Sequence, residues 1–124
     1  MPHVLVAEDS PDDLELFETV LKLDGHTVST VETTEGLLAA AFSASPPDVI
    51  LLDLILDRAN GLAVVQTLRA DPRTATLPIV AITAATPRYL EEVALKAGCT
   101  GFLTKPCPPE IVSRALKAAL AGRA

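Results

Sequence analysis

The stretch VILLDLIL, residues 49–56, places one carboxylate, Asp53, among seven apolar residues. Such a run is typical of a strand in a parallel sheet that helices cover on both faces. A carboxylate inside that strand would be costly to bury without a partner. We therefore expect the strand to end at Asp53, with this side chain exposed at the rim where the sheet opens. Leu54 and Ile55 would then begin a loop.

The run at Asp53 is one of five that have the composition of strands. They are rich in Val, Ile, Leu and Thr, and Pro, Gly or acidic residues bound them. The first, third and fourth are continuously apolar, which indicates central strands, whereas the second and fifth are mixed, as flanking strands are. The five runs are HVLVA (3–7), HTVST (26–30), DVILLD (48–53), PIVAIT (78–83) and GFLT (101–104).

Helical patterns follow each of these runs. Ser10-Pro11 offers an N-cap and a first-turn proline for the first helix. Strict alternation of strands and helices predicts a parallel sheet with right-handed crossovers, a three-layer α/β fold. Apolar residues recur at helical spacing in Leu14–Leu21, Thr34–Ala44, Leu62–Leu68, Leu90–Ala97 (through Leu90, Val93, Ala94 and Ala97) and Val112–Leu120.

Length and composition restrict the function. The 124 residues, 49% hydrophobic and 21% charged, predict one domain over residues 1–124, with no output domain attached. The net charge of −6 argues against a basic nucleic-acid surface and favours a cationic partner or a metal ion. We find no secretory signal and no apolar run of the roughly 18 residues that span a bilayer. Cys99 and Cys107 are therefore expected to be free thiols in a reducing cytoplasm.

Polar residues stand where four of the five predicted strands end. Open parallel sheets bind ligands at the carboxyl ends of their strands. Glu8 and Asp9 follow the first strand, Asp53 and Thr83 end the third and fourth, and Lys105 follows the fifth. Taken singly, each could be a capping acid, a strand former or a solvated loop charge. Their conjunction at one rim is the stronger signal.

This set of residues suits phosphoryl transfer. Three carboxylates held close together repel one another and require cations. Lys105 supplies one positive charge, and an all-oxygen site with few protein ligands favours Mg²⁺ for the rest. Asp53 could then attack a phosphoryl group and form an acyl phosphate. The metal and Lys105 would neutralise charge on the phosphoryl oxygens.

Four motifs together resemble the receiver domain of bacterial two-component response regulators, over essentially the whole chain. The pattern is closest to stand-alone or hybrid-kinase receivers. The resemblance implies a flavodoxin-like, doubly wound (βα)5 sandwich with strand order 2-1-3-4-5. The motifs are LVAEDS (5–10, with its acid pair Glu8-Asp9), ILLDLIL with Gly61 eight residues beyond Asp53, PIVAITA with Thr83-Ala84, and GFLTKP with Lys105-Pro106.

The resemblance assigns roles to the acidic residues. Asp53 is the expected phosphoacceptor. Asp9 and Asp53 are expected to bind Mg²⁺, or Mn²⁺, directly, and Glu8 to bind it through water. The backbone carbonyl of Ile55 is the expected main-chain ligand.

The resemblance also assigns roles at the fourth and fifth strands. Lys105 is expected to pair with the phosphoryl group, and Thr83, beside Ala84, to hydrogen-bond one of its oxygens. Phe102 occupies the place of the switch aromatic, which swings as Thr83 moves. The bond between Lys105 and Pro106 is expected to be cis.

The implied partners are proteins. A sensor histidine kinase or a phosphotransfer protein is expected to dock on the first helix, around Leu14 to Leu21. We expect a cytoplasmic protein that binds neither membrane nor DNA directly, since Thr100-Gly101 replaces the acidic pair frequent in winged-helix regulators. A downstream protein partner is expected on the fourth helix, fifth strand and fifth helix, a surface that holds Arg88, Tyr89, Glu91, Glu92, Lys96, Arg114 and Lys117.

Some positions depart from the commonest receiver pattern. Leu56-Asp57 stands where Met-Pro is usual, and Phe102 replaces a frequent tyrosine. Ile55 and Ala85, beside the phosphate pocket, cannot hydrogen-bond a hydrolytic water. We therefore expect autodephosphorylation to be slow. The resemblance implies that the chain is not a conventional enzyme but catalyses its own phosphorylation.

Three other kinds of protein share part of this pattern. A haloacid-dehalogenase hydrolase needs a second aspartate two residues after the first, where Ile55 stands. A flavodoxin-like FMN binder needs a Ser/Thr/Gly-rich phosphate cradle after the first strand, where Glu8-Asp9 would repel phosphate. A pseudo-receiver, which binds proteins without being phosphorylated, stays open as the alternative.

Overall fold

Strands and helices alternate strictly in the computed structural model, which describes residues 2–56, 60–84 and 89–122. Asp57, Ala85 and Arg88 lie outside the described residues. The elements are β1 (His3–Ala7), α1 (Pro11–Leu23), β2 (Thr27–Val31), α2 (Thr34–Ala41), β3 (Val49–Asp53), α3 (Gly61–Ala70), β4 (Ile79–Thr83), α4 (Tyr89–Ala97), β5 (Gly101–Thr104) and α5 (Pro109–Ala121).

The strands form one parallel sheet in the order β2-β1-β3-β4-β5. This confirms the predicted doubly wound α/β fold and its strand order. Ala7 pairs with Leu52, and Asp53 pairs with Ile82. The register therefore brings Asp53 level with the residues that follow β1 and with the end of β4.

The core has two halves because alternate residues of each strand point to opposite faces of the sheet. On one face Ile50 and Leu52 belong to a buried cluster with Leu37 of α2 and Val65 of α3. On the other face lies a second cluster, which includes Val49, Leu51, Phe17 of α1 and Leu116 of α5. Both faces of β3 are thus covered, as its continuous apolar run predicted.

Two predicted helical details were wrong. The second helix ends at Ala41 and not at Ala44. Val93 was placed in the buried stripe of the fourth helix, but it is 40% exposed, while Ala94 is fully buried. The nine-residue α4 contacts the core through Leu90, Ala94 and Ala97, so the side chain one position before Ala94 turns outward.

The start of α1 differs in one respect from the predicted cap. Ser10 has the extended backbone of an N-cap and Pro11 opens the helix, but the Ser10 side chain makes no capping hydrogen bond. The Ser10 N–H instead donates to Glu8 Oε2 at 3.0 Å. The first turn of α1 is thereby tied to the end of β1.

No helix in residues 2–56, 60–84 and 89–122 is long and apolar enough to cross a membrane.

Candidate functional site

Asp53 is the last residue of β3, but it is buried and not exposed as the sequence had suggested. Its exposed fraction is 7%, and the next residue, Leu54, is buried in the core. Asp53 Oδ1 accepts a hydrogen bond from the Ile55 N–H at 2.9 Å, and Lys105 Nζ lies 3.0 Å from Asp53 Oδ2. The carboxylate is therefore both buried and paired.

Lys105 joins three carboxylates that come from three different elements. Its ammonium lies 2.6 Å from Glu8 Oε1, 2.9 Å from Asp13 Oδ2 and 3.0 Å from Asp53 Oδ2. These contacts match the three N–H donors of an ammonium. Burial alone would lower the pKa of Lys105, but the hydrogen bonds to Glu8, Asp13 and Asp53 outweigh it and raise the pKa. Lys105 is firmly cationic.

Glu8 is the most buried acid of the site, with 1% of its surface exposed. Its backbone N–H extends the sheet by donating to Val31 O at 3.0 Å, so the side chain starts from a fixed position. Loss of water raises the pKa of Glu8, and hydrogen bonds from Lys105 and the Ser10 N–H offset part of that rise. The negative charge of Asp53 raises the pKa further.

Glu8, Asp9 and Asp53 form a group that could hold a metal ion. One carboxylate oxygen from each lies within 4.8 Å of the others. Asp9 is exposed while Glu8 and Asp53 are buried, so the group faces solvent on one side. Hard oxygen ligands of this kind fit Mg²⁺, which keeps several water ligands and needs few from the protein.

The loop that follows Asp53 is held by a close backbone contact. The Gly61 N–H donates to Leu54 O at 2.8 Å. A Cβ atom at position 61 would lie 2.8 Å from both Cα and O of Leu54, which is closer than real Cβ atoms approach backbone. Only glycine allows α3 to begin this near to the loop. Ile55, in that loop, is 52% exposed.

Three predicted features lie in or directly after β4 and β5: Thr83, Phe102 and the Lys105–Pro106 bond. Thr83 ends β4 and is fully buried, and its carbonyl accepts a hydrogen bond from the Lys105 N–H at 2.9 Å. The Lys105–Pro106 peptide bond is cis. Phe102 of β5 is half-buried and packs against the core cluster on the α2–α3–α4 face of the sheet.

A cleft of about 270 Å³ opens beside Lys105. Ala84, which is exposed, stands on one wall, and α1 contributes the other. The cleft is lined by Asp13, Leu16, Phe17, Ala84, Lys105, Pro106 and Cys107. It brings apolar surface and the charged groups of the site together.

Asp13 is the site residue that sequence reasoning missed. Its place in the sequence identifies it only as one of two adjacent acids in the first turn of α1. Helical spacing indicates that Asp13 faces inward, because Phe17 and Leu21 follow it at intervals of four residues and are both buried. Asp12 has the exposed Leu16 four residues on. Asp13 therefore lies on the inward side of α1, where Lys105 meets it.

The fold and the acidic group Glu8, Asp9 and Asp53 indicate the class of the protein, and comparisons with known proteins lead to the same class. A sequence model of the response regulator receiver domain matches residues 4–117. The chain belongs to the response regulator receiver domain family. It is a CheY-like component of two-component signalling, and members of this family interact with histidine kinases or phosphotransfer proteins.

Two of the similar proteins match this chain along nearly their full length. Protein PilH of Pseudomonas aeruginosa is 28% identical over 98% of this chain and 100% of its own. A response regulator structure from Chloroflexus aurantiacus has a TM-score of 0.90 at 28% identity, covering 97% of this chain and 98% of the other.

A third comparison bears on the metal. The receiver domain of a sensor histidine kinase from Pseudomonas aeruginosa has a TM-score of 0.84 at 26% identity, with 98% of both chains covered. In that structure a magnesium ion is coordinated in the active-site cleft. Receiver domains bind Mg²⁺ in an acidic pocket, and the carboxylates of this chain provide such a pocket.

Proposed function

We propose that this chain is a phosphorylation-dependent switch that accepts a phosphoryl group on Asp53 from a sensor histidine kinase or a phosphotransfer protein. One observation carries the proposal: Lys105 Nζ lies within 3.0 Å of both Asp53 and Glu8, beside three carboxylates that converge within 4.8 Å. A buried nucleophile next to a fixed cation and a candidate metal group is suited to phosphoryl transfer.

The transfer itself is an in-line displacement. A carboxylate oxygen of Asp53 bonds to phosphorus, and the bond from phosphorus to the donor's nitrogen or oxygen breaks, with its electron pair leaving on the donor. Glu8, Asp9 and Asp53, with the Ile55 carbonyl, would hold Mg²⁺, or Mn²⁺, which prefers similar oxygen ligands. When bound, the ion supplies positive charge against the phosphoryl oxygens.

Lys105 and residues at the end of β4 stabilise the rest of the negative charge on the phosphoryl oxygens. Lys105 stays protonated and pairs with a phosphoryl oxygen as Asp53 loses its charge on becoming an acyl phosphate. The hydroxyl of Thr83 and the backbone at Ala84 provide hydrogen-bond donors beside the same group. Ile55, half-exposed next to the nucleophile, offers no side-chain group to orient water, which favours slow loss of the phosphate.

The signal then passes to a surface. Thr83 and Phe102 rearrange together, and the face made of α4, β5 and α5 changes shape for a downstream protein. Exposed Tyr89 and Val93 on α4 give that face an apolar component. The donor docks on α1, where Leu16 is exposed at the mouth of the cleft. We place this exchange in the cytoplasm, with a protein and not DNA as the direct target, in keeping with the net charge of −6.

Mass spectrometry after incubation with acetyl phosphate and Mg²⁺ tests the function. The wild-type chain is expected to gain one phosphoryl group, and Asp53→Asn to gain none. Adding EDTA is expected to prevent the modification. A chain that stays unmodified with every donor, but still binds its partners, would instead be a pseudo-receiver.

A further inference from the structure

The proposed phosphorylation mechanism gives no role to the carboxylate of Asp13, although this carboxylate contacts Lys105, which is proposed to pair with the phosphoryl group. Asp13 Oδ2 lies 2.9 Å from Lys105 Nζ, and the two residues are 92 positions apart in the chain. Asp13 is not among the three carboxylates that converge as a metal group. Its contact with Lys105 is therefore independent of that group.

The three partners of Lys105 differ in what phosphorylation does to them. Asp53 becomes an acyl phosphate, and its charge moves outward to the phosphoryl oxygens. Glu8 is shared between Lys105 and the candidate metal group. Only Asp13 keeps both its charge and its undivided contact with Lys105 throughout the transfer.

The three partners of Lys105 also differ in their positions around it. Glu8 and Asp53 lie at the ends of two adjacent strands, whereas Asp13 approaches from the first turn of α1, on the cleft side. Contacts from three elements restrict a lysine side chain, which otherwise has many rotamers of similar energy. When Asp53 releases one N–H of Lys105, contacts from two sides still hold the ammonium near the reacting group.

From this geometry we propose that Asp13 is a positioning residue, which acts through Lys105 and holds its ammonium where the transferring phosphoryl group arrives. The inference rests on the proposed function. It assigns Asp13 an effect on the rate of phosphoryl transfer and none on the identity of the phosphorylated residue.

The chain provides a matched control in Asp12. Asp12 and Asp13 are adjacent acids in the first turn of α1, so their removal costs the helix similar interactions with its own dipole. Asp12 is exposed, and the partners of Lys105 among the described residues are Glu8, Asp13 and Asp53. Asp12→Ala therefore removes an equal charge without touching Lys105.

The experiment compares Asp13→Ala with Asp12→Ala. Phosphorylation by acetyl phosphate at saturating Mg²⁺ is expected to be about threefold to tenfold slower in Asp13→Ala than in Asp12→Ala, the range for the net contribution of one ordinary hydrogen bond, because the Asp13 side chain is 36% exposed. Mg²⁺ affinity, measured without donor, is expected to fall by similar factors in both variants. Asp13→Glu is expected to recover part of the lost rate, because its longer carboxylate can still reach Lys105.

A second readout does not depend on the reaction. In a ¹H–¹⁵N spectrum of the lysine side chains, a hydrogen-bonded ammonium exchanges its protons slowly. The Lys105 signal is expected in the wild type and in Asp12→Ala, and to be lost or broadened in Asp13→Ala.

The outcomes separate this proposal from the proposed function. If the wild type is phosphorylated on Asp53 but the Asp13→Ala and Asp12→Ala rates are equal, only the role of Asp13 is wrong. A faster rate in Asp13→Ala also overturns it, since Asp13 would then compete with the phosphoryl group for Lys105. A wild type that takes no phosphoryl group rejects both proposals.

Discussion

Polar groups at the two ends of the sheet are paired in different ways. At the amino end, polar side chains bond to the backbone of a neighbouring strand: Asp48 Oδ2 accepts from the His3 N–H at 2.8 Å, and Thr100 Oγ1 accepts from the Ile79 N–H at 3.1 Å. At the carboxyl end, Lys105 instead bridges the charged side chains of Glu8 and Asp53.

The difference separates a structural end from a functional one. At the amino end, side chains accept hydrogen bonds from the backbone N–H groups of His3 and Ile79. The carboxyl end gathers Glu8, Asp9, Asp13 and Asp53 around one lysine, so negative charge exceeds positive there. Such an excess is unfavourable for the isolated chain and favourable for binding a cation.

The largest expected effect comes from removing the bridge at the carboxyl end. Lys105→Ala leaves Glu8 and Asp53 buried without their cation, and we expect the free energy of unfolding to fall by about 2–3 kcal/mol, below the value for a fully buried pair because the site is open to solvent on one side. Urea unfolding in EDTA measures this loss. Added Mg²⁺ is expected to stabilise the variant more than the wild type, since the metal replaces missing positive charge.

Asp48→Ala is the matching change at the amino end. It removes one hydrogen bond to backbone, and we expect a loss of about 1 kcal/mol that Mg²⁺ does not alter. If Lys105→Ala costs no more than Asp48→Ala, or responds equally to Mg²⁺, the contrast between the two ends does not hold.

An effect smaller than that of Lys105→Ala is expected at Gly61, which supports the loop after Asp53. Gly61→Ala drives a methyl group against Leu54 backbone, and overpacking of this kind costs about 1–2 kcal/mol. The displaced loop is also expected to slow phosphorylation by acetyl phosphate. At Gly101 a Cβ atom would lie 3.8 Å from Val80, an ordinary contact, so Gly101→Ala is the control and is expected to change stability by less than about 0.5 kcal/mol. Equal effects of the two substitutions would argue against a special role for Gly61.

The smallest effect is a difference in reactivity between the two cysteines, one near each end of the sheet. Burial raises the pKa of the Cys99 thiol to about 11, so very little of the reactive thiolate exists at neutral pH. Cys107 is half-buried on the wall of the cleft, and burial raises its pKa as well. Iodoacetamide at pH 8 is expected to label Cys107 first, and labelling of Cys99 to accelerate only as the pH approaches 11.

Cys107→Ser provides the control for the labelling. The fast label is expected to disappear in this variant, as peptide mapping would detect. A fast label that persists would place the accessible thiol at the amino end and reverse the assignment.

Most of the fold could be predicted from the sequence because its signals are local and redundant. Each strand is a short run rich in Val, Ile, Leu and Thr with clear boundaries, and the observed strands begin within one residue of those predicted. The alternation with helices then leaves few possible topologies. The resemblance to receiver domains supplied the strand order, which the alternation alone does not determine.

The errors arose where the outcome depends on contacts between distant parts of the chain. Asp53 was expected to be exposed, because a strand pattern does not reveal that Lys105 arrives from 52 residues away to pair with it. Asp13 was overlooked for the same reason, since its partner lies 92 residues further on. The orientation of Val93 depends on how α4 packs against the sheet, and a stripe of apolar residues fixes that angle only loosely.

The sequence separations within the acidic site have a consequence for folding. Glu8 and Lys105 are 97 residues apart, and Asp53 and Lys105 are 52 apart, so a chain in which only neighbouring elements have formed holds no such site. We expect contacts this distant in sequence to form late in folding, after the sheet has assembled in its final strand order. The repulsion between the carboxylates is then present mainly in the native state. Substitutions that reduce this repulsion are therefore expected to change the rate of unfolding more than the rate of folding.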